Sequence, residues 1–270
     1  MKRILLALAL VASVATSGWA TVVDLTASNS GTINGATFEF DQQQPSGTGV
    51  LNSFLRVDRN GTEQGYNTTV SNNPQLPFNE VFGNFTHDLL FSSLQPSNGE
   101  FLFVLDIGEP AAENPNQGQQ SLLSLDGLKF FKTTIPGQND DSVDGAGNAN
   151  GIIGTLLYDM DGLEDSYVLL DANRDGHPGN GVSDMLLRVP ESVFAGVLDT
   201  EYIILWSRFG LQQPSFTGAE SFGTFEEWAH VTGLDDGGGP PQEVVPEPGT
   251  IMLLGTGLIG LALYGRRRAK

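Results

Sequence analysis

The sequence runs to 270 residues, with a formal net charge of −19, 39% hydrophobic residues and no cysteine. Six of its thirteen Lys and Arg stand at the two ends (Lys2, Arg3, Arg266, Arg267, Arg268, Lys270), so the stretch between them is more acidic than the total suggests. A field of that sign repels nucleic acid and anionic lipid, and the missing cysteines exclude disulfides and a thiol nucleophile. Such acidity suits a calcium-rich exterior or a hydrated polysaccharide matrix, and it equally serves solubility alone.

Read from the start, Lys2 and Arg3 precede an apolar run over residues 4–14, and small residues lead to Gly18-Trp19-Ala20. That is the order a signal peptidase reads, so residues 1–20 are expected to be a cleaved signal peptide. The apolar run is short of the ~20 residues needed to cross a bilayer. Residues 21–234 form the body. Residues 37–40 alternate, 50–57 read as a strand, and Asn60-Gly61 marks the turn after it. Residues 101–107 are nearly all apolar, as a central strand is. Further strands are expected at 127–132, 154–158, 166–170, 184–189 and 202–209. One short helix fits 191–198, after Pro190. Residues 41–49, 109–120 and 137–151 read as irregular. Strands at intervals of roughly ten to twenty residues predict an all-β body, a single β-sandwich of jelly-roll-like kind. A chain of this length buries a sizeable core. Residues 235–245, with Pro240-Pro241 after three glycines, read as a linker.

The sharpest local motif is Asp171-Ala172-Asn173-Arg174-Asp175-Gly176. Oxygen ligands at positions one, three and five, then a glycine, are how an EF-hand-type loop wraps calcium. Position twelve is Val182, where a bidentate Glu is wanted, and the flanks read as strands. Asp184 lies two residues on and completes a non-standard candidate set of Asp171, Asn173, Asp175 and Asp184, with Asp159, Asp161, Glu164 and Asp165 upstream. A solvated Asx-rich turn uses the same residues. Residues 139–145 are a second acidic loop with poorer ligand spacing. Glu226 and Glu227 beside Trp228 resemble a glycosidase pair in composition, but neighbours on a strand point to opposite faces. His87, His177 and His230 are scattered, and no nucleophile-elbow or phosphate-cradling pattern is present.

The tail carries the most specific signal. Pro246-Glu247-Pro248 and Gly249-Thr250 precede an apolar run over residues 251–264. The basic cluster Arg266-Arg267-Arg268 follows and belongs on the cytoplasmic side. Fourteen helical residues span about 21 Å, short of the ~30 Å hydrocarbon core, so this transmembrane helix looks like a handle to be held and then cut. Residues 245–270 resemble the PEP-CTERM sorting signal of Gram-negative bacteria. The resemblance implies recognition by an exosortase, a membrane-embedded transpeptidase-like protease, in hosts that usually make extracellular polysaccharide. The body is similar to many PEP-CTERM cargo proteins at residues 47–56, 60–68, 122–126, 158–161, 168–171, 183–185 and 225–229. That likeness brings no biochemical activity with it.

The expected product is a non-enzymatic surface or extracellular-matrix protein, exported through the inner membrane, held in the envelope until exosortase cuts it, with calcium as a candidate stabiliser. The rival reading is a carbohydrate-binding module for exopolysaccharide, with Trp206, Trp228, Tyr66 and Tyr202 as candidate platform rings. The bland reading of those rings is core. A secreted hydrolase is the third reading, and it lacks a convergent acid–base pair.

Overall fold

The computed structural model describes residues 20–40, 53–70, 76–81, 83–110, 113–114, 118–119, 121–174, 183–211 and 218–231. The signal segment, the linker and the sorting tail fall outside these, as do residues 50–52 of the second expected strand. Thirteen strands make two main sheets. In chain order they are β1 (Val22–Asp24), β2 (Ser30–Ile33), β3 (Ala36–Phe40), β4 (Ser53–Val57), β5 (Glu63–Tyr66), β6 (Leu89–Leu90) and β7 (Glu100–Ile107). Then come β8 (Leu122–Thr133), β9 (Thr155–Asp159), β10 (Tyr167–Asp171), β11 (Met185–Pro190), β12 (Tyr202–Phe209) and β13 (Glu226–Val231). The body is all-β, as expected.

The first sheet runs β1-β10-β8-β12-β5, with β9 on the second half of β8 and β6 on the end of β12. The second runs β2-β3-β11-β7-β13-β4. All pairings are antiparallel except β1 with β10. Alternation explains the simplest strand: in β3, Ala36 and Phe38 are buried, while the residues that follow each, Thr37 and Glu39, are not. β7 lies between β11 and β13 and buries both faces, which is why it reads as a continuous apolar run. Its Phe103 and Leu105 join the main core, while Leu102 and Val104 pack with Leu186 and Ala229 on the other face.

One hydrophobic core takes side chains from both sheets. Phe38, Phe103, Leu105 and Leu187 come from the second; Leu125, Phe130, Leu170 and Leu205 come from the first. The rings of Phe103 and Phe130 meet across the interface at 5.0 Å. Trp228 Nε1–H also donates across it, to Ser207 Oγ at 3.1 Å. With no disulfide, these contacts hold the domain.

The long strand β8 changes its inward parity. Leu123 and Leu125 face the core, and then Leu128 and Phe130 do. An alternating strand cannot do this without an extra residue. The register against β12 shifts between Leu125 and Gly127, so Asp126 is that bulge residue.

Three expectations needed adjustment. Asn60-Gly61, expected as a turn, is a two-residue strand with Gly61 at φ +88° that pairs with Ser221–Phe222. Residues 109–120 contain a short ladder, Glu113–Asn114 with Gly118–Gln119. The helix expected at 191–198 is one 3-10 turn, Glu191–Phe194, because Gly196 at φ +78° turns the chain away.

Candidate functional site

The Asp-rich loop begins where β10 ends. Asp171 Oδ1 accepts the Asn173 N–H at 3.0 Å, an Asx turn that a calcium loop and an ordinary turn share. Arg174 folds back from it. Its guanidinium donates to Leu25 O, to Ser28 O at 2.6 Å and to Asn29 Oδ1 at 2.8 Å, and lies 3.8 Å over the Phe40 ring. Asp175, His177 and Val182 lie outside the described residues. Asp184 leads into β11 of the second sheet, and its Oδ2 accepts the Ile107 N–H at 2.8 Å. The upstream carboxylates serve nearby groups: Asp159 accepts the Asp161 N–H at 3.0 Å, and Asp161 accepts the Ser166 N–H at 2.9 Å. Glu164 accepts the Thr21 hydroxyl.

The second acidic loop is packed against the outer face of the first sheet. Tyr66 Oη donates to Asp140 O at 3.2 Å, Gln64 Nε2 to Gly147 O at 3.0 Å, and Arg208 to Ala146 O at 3.0 Å. Beneath it Tyr66, Ile204 and Trp206 pack with Ala149. The carboxylates of this loop serve its own backbone: Asp144 accepts N–H groups of Ala146 and Asn148, and Asp140 accepts that of Ser142. Among the described residues, no set of three or more His, Cys, Asp or Glu side chains converges as metal ligands.

The aromatic candidates are placed plainly. Trp206, Trp228 and Tyr66 are completely buried, and Tyr202 is half-buried. Glu226 and Glu227 point to opposite faces, as strand geometry requires. Glu227 pairs with Arg56, whose guanidinium lies 3.3 Å from the Phe85 ring centroid and 4.7 Å from that of Phe225. His87 Nδ1 is 2.9 Å from Asp88 O, and His230 lies edge-on to Phe103 at 5.8 Å.

Glu226 belongs to a group that sequence reasoning missed. Glu63 on β5, Glu226 on β13 and Glu109 just after β7 are all completely buried. The carboxyl groups of Glu63 and Glu226 lie within hydrogen-bonding reach of each other. Ser221 reaches Glu63 and Glu109, and Thr224 reaches Glu109 and Glu226. Both oxygens of Glu109 accept the Phe222 N–H, at 3.2 and 3.3 Å, and Glu63 Oε2 accepts the Arg59 N–H at 2.7 Å. Glu63 Oε1 and Glu226 Oε2 have no donor. Burial pushes Glu63 up to about 7 and Glu109 to about 8, and it drives Glu226 well above the carboxylate range. A signal was present in the sequence: once Trp228 is assigned to the core, Glu226 two residues earlier shares its face.

The model of the PEP-CTERM protein-sorting motif matches residues 244–268. No curated protein and no solved structure matches the chain. The motif spans Pro246-Glu247-Pro248, the apolar run and Arg266-Arg267-Arg268, and it implies export and processing by an exosortase. The chain is therefore a PEP-CTERM sorting domain-containing protein, identified by its tail.

Proposed function

We propose that this chain is a non-enzymatic surface or extracellular-matrix protein, held at the membrane by its tail and released or transferred when exosortase cuts near Pro246-Glu247-Pro248. The observation that carries the reading is the sorting motif at residues 244–268. In this reading the signal peptide is removed by signal peptidase, and the two sheets around their shared core are a sandwich presented at the cell surface or in the polysaccharide matrix. The two adjacent glutamates support a non-catalytic body: both are buried, on opposite faces, and Glu227 is tied to Arg56, so they do not flank a common bond. The rings that a sugar platform would need lie mostly in the core, which favours a structural role over a carbohydrate-binding module. Calcium stabilisation belongs to the same reading, because a strongly acidic body without disulfides gains from a bound cation.

The test is fractionation of the producing bacterium with and without its exosortase. The account expects release from the membrane only when exosortase is present. Equal release in both strains overturns it.

A further inference from the structure

The buried glutamates pose an electrostatic problem that the rest of the domain does not solve. Glu63 comes from the first sheet and Glu226 from the second, so the pair sits where the two sheets are joined. Both are completely buried, and each has a carboxylate oxygen with no donor. The charged groups around them have the same sign: Asp58 repels Glu63, and Glu63 and Glu109 repel Glu226, while Glu226 acts on Glu63 through a hydrogen bond. The ion pairs of the described residues place their lysines and arginines elsewhere, on Glu227, Asp159, Glu201, Glu39 and Glu100. Like charges in a low-dielectric interior repel strongly, and an uncompensated buried carboxylate is costly.

The neighbouring donors suggest what compensates them. Thr224 Oγ1 is 3.4 Å from Glu226 Oε1, and Ser221 lies within reach of Glu63. Every group is an oxygen donor, with no sulfur or imidazole among them, which is the ligand set of a hard cation. The site rests on two carboxylates and two hydroxyls; Glu109 is held by the Phe222 N–H. The short ladder strand that carries Ser221 is fixed by close backbone packing. Gly210 is at φ +75°, and a Cβ there would lie 2.2 Å from Gly61 O and 3.0 Å from Ser221 N.

We propose that Glu63 and Glu226, completed by Ser221 and Thr224, bind one divalent hard cation of the calcium class at the joint between the two sheets. The cation neutralises the pair, gives the unpartnered oxygens a ligand role and ties the sheets together in a chain that has no disulfide. This deepens the calcium part of the proposed function and is independent of the sorting role. It also uses none of the residues of the Asp171 loop.

The test uses the exported chain at pH 7.5, stripped with chelator and then given calcium chloride. Melting temperature and bound calcium are measured in wild type, Glu226→Gln, Glu63→Gln and Asp171→Asn. The expected results are one calcium per chain and a rise of roughly 5–10 °C at a hundredfold excess over Kd. Both should be kept in Asp171→Asn and lost in Glu226→Gln and Glu63→Gln. The glutamine variants are neutral and near-isosteric, so their circular dichroism in chelator reports whether they fold. Wild type that neither binds calcium nor shifts overturns the proposal and assigns the pair a shared proton. A shift kept in Glu226→Gln, or lost only in Asp171→Asn, also overturns it and moves the site to the loop.

Discussion

Replacing Asp126 by Asn should stabilise the domain above pH 6 and do little below pH 4. Asp126 is the extra residue of the β8 bulge and is 1% exposed. Its Oδ2 accepts the Ser124 hydroxyl at 2.8 Å and the Leu211 N–H at 2.7 Å, while Oδ1 has no partner. Burial raises its pKa from 3.8 to about 6, against those hydrogen bonds and the opposing pull of Arg208. The folded state therefore binds this proton more tightly than the unfolded state does. Its contribution to stability is fully present below the unfolded pKa near 3.8 and is lost as pH rises through about 6. At ~1.4 kcal/mol per pH unit, the loss amounts to about 3 kcal/mol. Asn keeps a carbonyl oxygen where Oδ2 sits and puts a neutral NH2 where Oδ1 sits. Desolvating that NH2 costs about 1 kcal/mol, so the net gain at pH 8 is about 1–2 kcal/mol, or roughly 2–8 °C in Tm. Urea denaturation at pH 4, 6 and 8 measures it. A variant less stable than wild type at pH 8, or one with the same difference at all three pH values, refutes the reasoning and means that Oδ1 has a positive partner.

Arg56→Ala should cost about 3–5 kcal/mol, because it leaves Glu227 buried without its counterion and empties the space between Phe85 and Phe225; denaturant midpoints check it, and a loss under 1 kcal/mol contradicts it. Gly127→Ala should cost about 1–3 kcal/mol, since its Cβ would sit 2.8 Å from the ring of a completely buried Trp206. Thermal melts report that cost, and an unchanged Tm would show that the ring can yield. In chelator, the melting temperature should fall from pH 5 to pH 8, because burial raises Glu80 and Glu63 to about 7 and Asp161 to about 6. Each of these groups loses its stabilising proton as pH climbs through its folded value. A flat or rising profile contradicts that sign.

Much of the sheet structure was legible because burial imposes a pattern. β7 is apolar on both faces because it has neighbours on both sides, and β12 shows the same for the same reason. The strands that escaped notice are short or polar. β5 reads Glu-Gln-Gly-Tyr, and its Gly65 is there because Val57 and Glu80 leave no room for a Cβ, not because the chain turns. The parity change in β8 was present in Leu123, Leu125, Leu128 and Phe130, but only the pairing with β12 shows that a bulge absorbs it. The carboxylates were the least legible. A glutamate is surface by default, and nothing local to Glu63 or Glu109 signals that chain topology will bring them beside Glu226. The sorting tail lies at the other extreme, since Pro246-Glu247-Pro248, the apolar run and the basic cluster are adjacent in sequence.

The central claim, that this is an exported chain sorted and cut at its tail, is tested most directly by the intact mass of the form recovered from outside the inner membrane. The account predicts a polypeptide that begins near Thr21 and ends near Pro246-Glu247-Pro248, lacking Arg266, Arg267 and Arg268. A mass that retains those three arginines contradicts it.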